Sequence, residues 1–289
     1  MFCTVRIKKF SLVAAVIVLI GAVFLISQAG RTTLVDAKAQ GGVQLPAIMY
    51  HSMLKESARQ GKYVVSPDLF ENDLKYLKEH GYTAIGMQEL IDYVQKGTAL
   101  PEKPILLTFD DGYYNNYLYA FPLAKKYEMK IIISPIGYYT DLYSEKDADH
   151  ANYSHLTWDE INEMMQSGWV EFQNHTYNLH ENKNGRMGSQ KRKNESVSAY
   201  TSLLTDDLTK MQNKMKEHTG YTPNTFVYPF GAISKDAFPV LKSLGFQASL
   251  TCESKINYIT RDPECLFGIG RYLRPAGKTS EQYFSKVLP

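Results

Sequence analysis

Apolar and polar positions along the chain switch repeatedly between the strand period and the helix period. The run "PAIMYHS" from Pro46 reads as a strand. In "SPDLFENDLKYLKEHG", Phe70, Leu74 and Leu77 share one helical face, with Ser66 as N-cap, Pro67 at the first helical position and Gly81 as the stop. "YTAIGM" predicts a second strand, "QELIDYVQKG" a second helix and "KPILLTF" a buried strand. "YNNYLYAFPLAKKYEM" predicts a helix disturbed in its middle by Pro122, and "KIIISPIG" another strand. "TWDE" is a capping box opening a helix that runs to about Gly168, followed by the strand and loop "WVEFQNHT". The polar, aperiodic residues 181–196 predict an exposed insertion, with the basic cluster 191–193 as a solvated loop. A long amphipathic helix (199–218), the strand "NTFVYPFG", a helix over 234–244 and the strand "FQASLT" complete the pattern.

Alternating β and α elements over this length predict one α/β domain around a parallel sheet, open or closed into a barrel. In such folds chemistry collects at the C-terminal ends of strands. His51, Asp110, Asp111, His175 and the "YPFG" segment (228–231) all fall there.

The first thirty residues stand apart. Arg6, Lys8 and Lys9 precede an unbroken apolar run of 15 residues, "LVAAVIVLIGAVFLI". That is a charged n-region followed by an h-region, so the chain is expected to be exported. The run falls short of the roughly 20 residues that span a bilayer comfortably, which leaves a cleaved signal and an uncleaved membrane anchor both open. The expected organisation is a signal or anchor over 1–29, a polar tether over 30–44 and a single catalytic domain over 45–289. A net charge of +2 gives no bulk field to draw the molecule to nucleic acid. The 21 tyrosines suit sugar-stacking surfaces as well as ordinary packing. Three cysteines are too few for a disulfide scaffold, although export permits a bridge between Cys252 and Cys265.

Two acidic side chains in "TFDDG" repel unless something positive stands between them or a turn separates them. Asp111, His175 and His180 could supply one carboxylate and two imidazoles to a divalent metal, leaving coordination positions for water and substrate. The histidines are five apart in "HTYNLH", a spacing for a loop rather than one helical face. Adjacent strand residues point to opposite sides, so Asp111 could bind the ion while Asp110 stands beside the water it activates.

"TFDDG", "HT" with the later His180, and "YPFG" together resemble, in their order, the polysaccharide deacetylases, the family 4 carbohydrate esterases with a NodB-type domain. The resemblance covers Pro46 to the C-terminus. It implies an incomplete (β/α) barrel and hydrolysis of N-acetyl groups from N-acetylhexosamine polymers. It also implies Asp110 as general base, Asp111, His175 and His180 as ligands of a divalent metal (zinc first, with cobalt, nickel or iron as alternatives), and the Phe230 N–H as oxyanion donor.

Three departures bear on the subgroup. Most members space the histidines four apart, whereas the subgroup acting on poly-β-1,6-N-acetylglucosamine shows the longer spacing found here. The arginine usual before the proline-aromatic motif is missing, since Val227 and Tyr228 stand there, and Arg271 in "GIGRYLR" is its expected replacement in orienting Asp110. No leucine-histidine motif closes the chain. The subgroup has a permuted strand order with an early acid histidine, which assigns "MYHS" and His51 to protonation of the leaving amine. The expected substrate is cell-surface poly-N-acetylglucosamine or peptidoglycan.

Plainer readings stand beside these. His51 could be a packed core residue, and Phe230 with Gly231 a turn after Pro229. His80 and His218 close helices, and His150 and His155 belong to a polar loop exposed to solvent. Two other function classes share the features: a catalytically silent glycan-binding module on the same fold, and a non-haem iron oxygenase built on the same ligand set.

Overall fold

The computed structural model describes residues 42–146 and 149–289. The expected n-region, h-region and most of the tether lie outside these. Among the described residues, no helix is long and apolar enough to cross a membrane.

Five parallel strands form the central sheet, in the order Tyr272–Leu273, Ala47–Tyr50, Pro104–Asp111, Ile131–Pro135 and Val170–Phe172. Thr83–Ala84 pairs in parallel with the start of Pro104–Asp111. Every residue of Pro104–Asp111 is buried, which is why "PILL" at its start is continuously apolar: a central parallel strand is covered on both faces. Beyond Val170–Phe172 the curve continues through a single bridge, Asn174 to Phe226, to the parallel pair Thr225–Val227 and Ala248–Leu250. A second bridge, Leu250 to Ile269, leads back toward Tyr272–Leu273. Single bridges replace full ladders at these two seams, so the (β/α) barrel is incomplete.

Local signals place the helices. The Ser66 hydroxyl accepts from the Leu69 N–H and Pro67 opens the helix Pro67–Glu79. Both bonds of the Thr157–Glu160 capping box form at the start of Trp158–Gln166. The long helix Val197–Thr219 ends on Gly220 in the left-handed conformation. Pro122 acts as expected, in a specific way. Lacking an N–H, it cannot bond back to residue 118, and the chain widens into a π turn over Asn116–Ala120 before the α-helix Phe121–Tyr127.

Other features differ from the sequence reading. Residues 181–196 are largely exposed, as expected, but carry structure of their own: the hairpin Asn182–Lys183 with Arg186–Met187, and Arg186 buried against Glu195 and the Gln190 carbonyl. Lys191 is tied to the body through Ser234 and Asp236. Pairing lets Arg186 leave water within a segment that otherwise stays exposed. Val43–Leu45 pairs antiparallel with Asn257–Ile259, drawing the last residues of the expected tether into the fold. The helices Gly137–Ser144 and Ser280–Val287 were not anticipated. Cys252 and Cys265 are both free thiols.

The C-terminal segment is fastened to the first helix by a buried cluster. Arg274 clasps Asp73 through two bonds of 2.8 and 2.9 Å, and the Tyr50 and Ser280 hydroxyls donate to the same carboxylate. This fastening sets Tyr272–Leu273 beside Ala47–Tyr50 and brings residues from the two ends of the chain to one mouth of the barrel.

Candidate active site

A cavity of about 480 Å³ opens at the C-terminal ends of the strands, with His51, Asp110, Asp111, His175, His180 and Phe230 on its walls. Both aspartates reach it, although strict alternation would turn them to opposite faces. The cause is the backbone at the strand end: Asp111 has φ 72° and Gly112 φ 69°, two successive left-handed residues. Gly112 is obligatory there, because a Cβ would lie 2.6 Å from the Pro135 Cβ.

Asp111 Oδ1 lies 3.2 Å from His180 Nε2 and 3.6 Å from His175 Nε2, and ligand atoms of the three residues fall within 4.8 Å of one another. The His175 Nδ1–H donates to the Val227 carbonyl at 2.7 Å, which leaves the Nε2 lone pair facing the carboxylate. Asp111 Oδ1 is buried and has no hydrogen-bond partner. A buried carboxylate oxygen left without a partner while facing two imidazole nitrogens is the donor set of a divalent metal, and these residues fit one. The electrostatics agree. Burial pushes His175 down, but Asp111 and Asp110 outweigh it and raise its pKa, so the site favours positive charge. Burial, reinforced by His175, pushes His180 down to about 4, keeping it a neutral imidazole suited to ligation.

Asp110 is held differently. Arg271, fully buried, donates through both terminal nitrogens to its carboxylate at 2.6 and 2.8 Å. Arg271 is itself fixed by the Thr251 carbonyl and the Thr108 hydroxyl. Burial alone would raise the Asp110 pKa; the Arg271 guanidinium overcomes it and holds the carboxyl below its usual value.

His51 follows the end of Ala47–Tyr50, its carbonyl bonded by Asn116 Nδ2 and its ring edge-on to Tyr63. Its Nδ1 is buried without a partner, and burial lowers its pKa. Phe230 is left-handed at φ 58° in the turn Pro229–Gly231, and its ring meets His180 at 4.5 Å. The hydrogen bonds of that turn use the Gly231 and Ala232 N–H groups, not that of Phe230.

Of the remaining histidines, His80 caps its helix on the Tyr76 carbonyl and His218 stacks on Trp158. His150 is exposed, as expected, but His155 is not: it is buried beside Asp111. The polar loop folds over the strand end, with Leu156 N–H bonded to the Gly112 carbonyl and Tyr114 N–H to that of Ser154. Sequence reasoning also passed over Tyr63 and Tyr113, which line the cavity, and Asn115, whose amide anchors the segment after His51. The only local signal, for Tyr113 and Asn115, was "YYNN" following the glycine of "TFDDG".

A model of the polysaccharide deacetylase family matches residues 97–249, more than half of the chain. The chain belongs to that family. Among curated relatives, the poly-β-1,6-N-acetyl-D-glucosamine N-deacetylase of Escherichia coli K12 is 26% identical over 226 residues, covering 72% of this chain and 34% of its own length. The protein of the same name from Staphylococcus aureus MSSA476 is 28% identical over 193 residues, covering 67% of this chain and 62% of its own. This polysaccharide deacetylase thus spans about a third of the length of the first relative and under two thirds of the second. The solved de-N-acetylase from Aggregatibacter actinomycetemcomitans superposes with a TM-score of 0.70 at 28% identity, covering 85% of this chain and 98% of that one.

Proposed function

We propose that this polysaccharide deacetylase is a metal-dependent hydrolase that removes N-acetyl groups from poly-β-1,6-N-acetylglucosamine on the outside of the cell. The observation that carries the reading is the buried, unpartnered Asp111 Oδ1 facing the Nε2 atoms of His175 and His180, with Asp110 kept ionised alongside by Arg271. Bound by those three ligands, a divalent cation, zinc by preference, would supply Lewis acidity to the acetamide carbonyl and to the attacking water.

The chain's own groups account for the proton traffic. Asp110 carries a charge at neutral pH and accepts the proton of the water that attacks the carbonyl carbon. The Phe230 N–H, directed by its left-handed turn, donates to the oxygen as negative charge develops, a contribution of about 3 kcal/mol for one such donor. His51, in its imidazolium form, delivers a proton to the departing nitrogen as the C–N bond breaks, giving acetate and a free amine, and the proton taken up by Asp110 balances the one His51 gives. Arg271 takes the place of the arginine that precedes the proline-aromatic motif in other members, which weighs against a silent glycan-binding module.

The names of the Escherichia coli and Staphylococcus aureus relatives support poly-β-1,6-N-acetylglucosamine over peptidoglycan, as does the five-residue histidine spacing. The test is acetate release by zinc-loaded protein from β-1,6-linked N-acetylglucosamine oligomers, peptidoglycan fragments and chitin oligomers. Release from the β-1,6 oligomers above the others is expected. Release from peptidoglycan alone would reassign the substrate, and silence on all three with tight glycan binding would point to the binding module.

A further inference from the structure

The stretch around His155 has no part in the chemistry above, yet it is built against the cation site. His155 lies in an otherwise polar loop but is only 9% exposed. Its ring is stacked between Tyr139, at 4.5 Å, and Tyr113, at 4.8 Å. Its Nδ1 lies 3.0 Å from the Asp111 main-chain carbonyl. A carbonyl oxygen can only accept, so His155 must carry its proton on Nδ1 and donate. The same carbonyl receives only a long second contact, 3.4 Å from the Ile136 N–H.

The Asp111 backbone is where such a bond matters. A left-handed φ at a residue other than glycine costs on the order of 1–3 kcal/mol and persists only where its surroundings enforce it. The conformation is also what turns the Asp111 carboxylate toward His175 and His180 in place of the opposite face of the sheet. Two main-chain bonds, Leu156 to Gly112 and Tyr114 to Ser154, bracket the turn without touching the Asp111 carbonyl. His155 is the side chain that closes that gap, and the two tyrosine rings fix its plane.

We propose that His155 is a positioning residue: by donating from Nδ1 to the Asp111 carbonyl it holds the left-handed turn that aims the Asp111 carboxylate at the cation. The inference rests on the reading of Asp111, His175 and His180 as metal ligands. Groups one step removed from a metal commonly change its affinity by about 10- to 100-fold when lost, and His155 belongs in that range.

Two substitutions separate the bond from the stacking. His155→Phe keeps a flat ring between the tyrosines and removes the donor. His155→Asn places an amide N–H where Nδ1 stood and removes the ring. Zinc affinity of the full-length protein, measured by competition with a chromophoric chelator, should fall at least about 10-fold in His155→Phe and stay within about 3-fold of wild type in His155→Asn. Circular dichroism and melting temperature establish that each variant is folded. A folded His155→Phe protein binding zinc as tightly as wild type, while Asp111→Asn has lost it, would overturn the role of His155 and leave the ligand assignment intact. Wild-type protein without zinc affinity would overturn both. Should His155→Phe fail to fold, the ¹⁵N spectrum of histidine-labelled wild type decides: His155 is expected as the Nδ1–H tautomer, and an Nε2–H tautomer would refute the bond.

Discussion

At the scale of residues, the two adjacent aspartates are set apart by their partners. Asp110 meets a planar, fully buried guanidinium through two parallel bonds, and Asp111 meets the Nε2 atoms of two imidazoles. Asp110→Asn should therefore lower kcat by about 10²- to 10⁴-fold with zinc content unchanged, as read by acetate release beside elemental analysis. Loss of zinc in that variant would move Asp110 into the ligand set. Arg271→Lys keeps the charge but cannot fork onto both oxygens, so kcat should drop roughly 10-fold or more with little change in KM. "TFDDG" announced this chemistry in the sequence because a short motif carries its own residues with it. The convergence of both carboxylates on one cavity was not legible, since strand alternation predicts the opposite and only the left-handed φ of Asp111 reverses it. His155 was hidden for a related reason: burial by two tyrosines from separate segments leaves no mark in the polar loop that contains it.

At the scale of elements, the strand Val170–Phe172 carries a carboxyl outside the site that tunes stability. Glu171 leans over Gly86, where an added Cβ would lie 2.1 Å from its Oε2, and accepts from Gln173. Burial pushes its pKa up to about 7, and the Glu89 charge adds to the rise. The folded state thus keeps a proton that the unfolded chain gives up near 4.5, so this contribution is full below that pH and is lost as pH rises through about 7. Glu171→Gln should stabilise the protein by roughly 1–2 kcal/mol at pH 8 and by little near pH 4.5, measured as melting temperature against pH; the part-buried side chain keeps the figure modest. A larger gain at acid pH would contradict the sign. Most helices were legible from caps and periodicity: Ser66 and the Thr157–Glu160 box act where expected. The strand Tyr272–Leu273 was not, because two residues standing alone register no period.

At the scale of the molecule, the site depends on joining distant parts of one chain. His51 comes from the first strand of the central sheet, the aspartates from the strand beside it, and Arg271 from just before the strand on its other side. The Asp73 cluster makes that junction, with Arg274, Tyr50 and Ser280 all on one buried carboxylate. Arg274→Leu strands that charge, and should destabilise the fold by about 3–5 kcal/mol in urea titrations. Stability within 1 kcal/mol of wild type would mean that the C-terminal segment is held by its apolar contacts alone. An α/β domain with its chemistry at the strand ends was legible from the alternation of elements. The early histidine and late arginine could be brought to one site only through family resemblance, since no local pattern reports a pairing such as Arg271 with Asp110, 161 residues apart.

The most direct test of the whole account is anomalous diffraction at the zinc absorption edge from crystals of zinc-loaded protein. One strong peak bounded by the Asp111 carboxylate and the Nε2 atoms of His175 and His180 is predicted, with Asp110 beside it and still paired to Arg271. A peak bound elsewhere, or none while those three side chains turn away from one another, would contradict it.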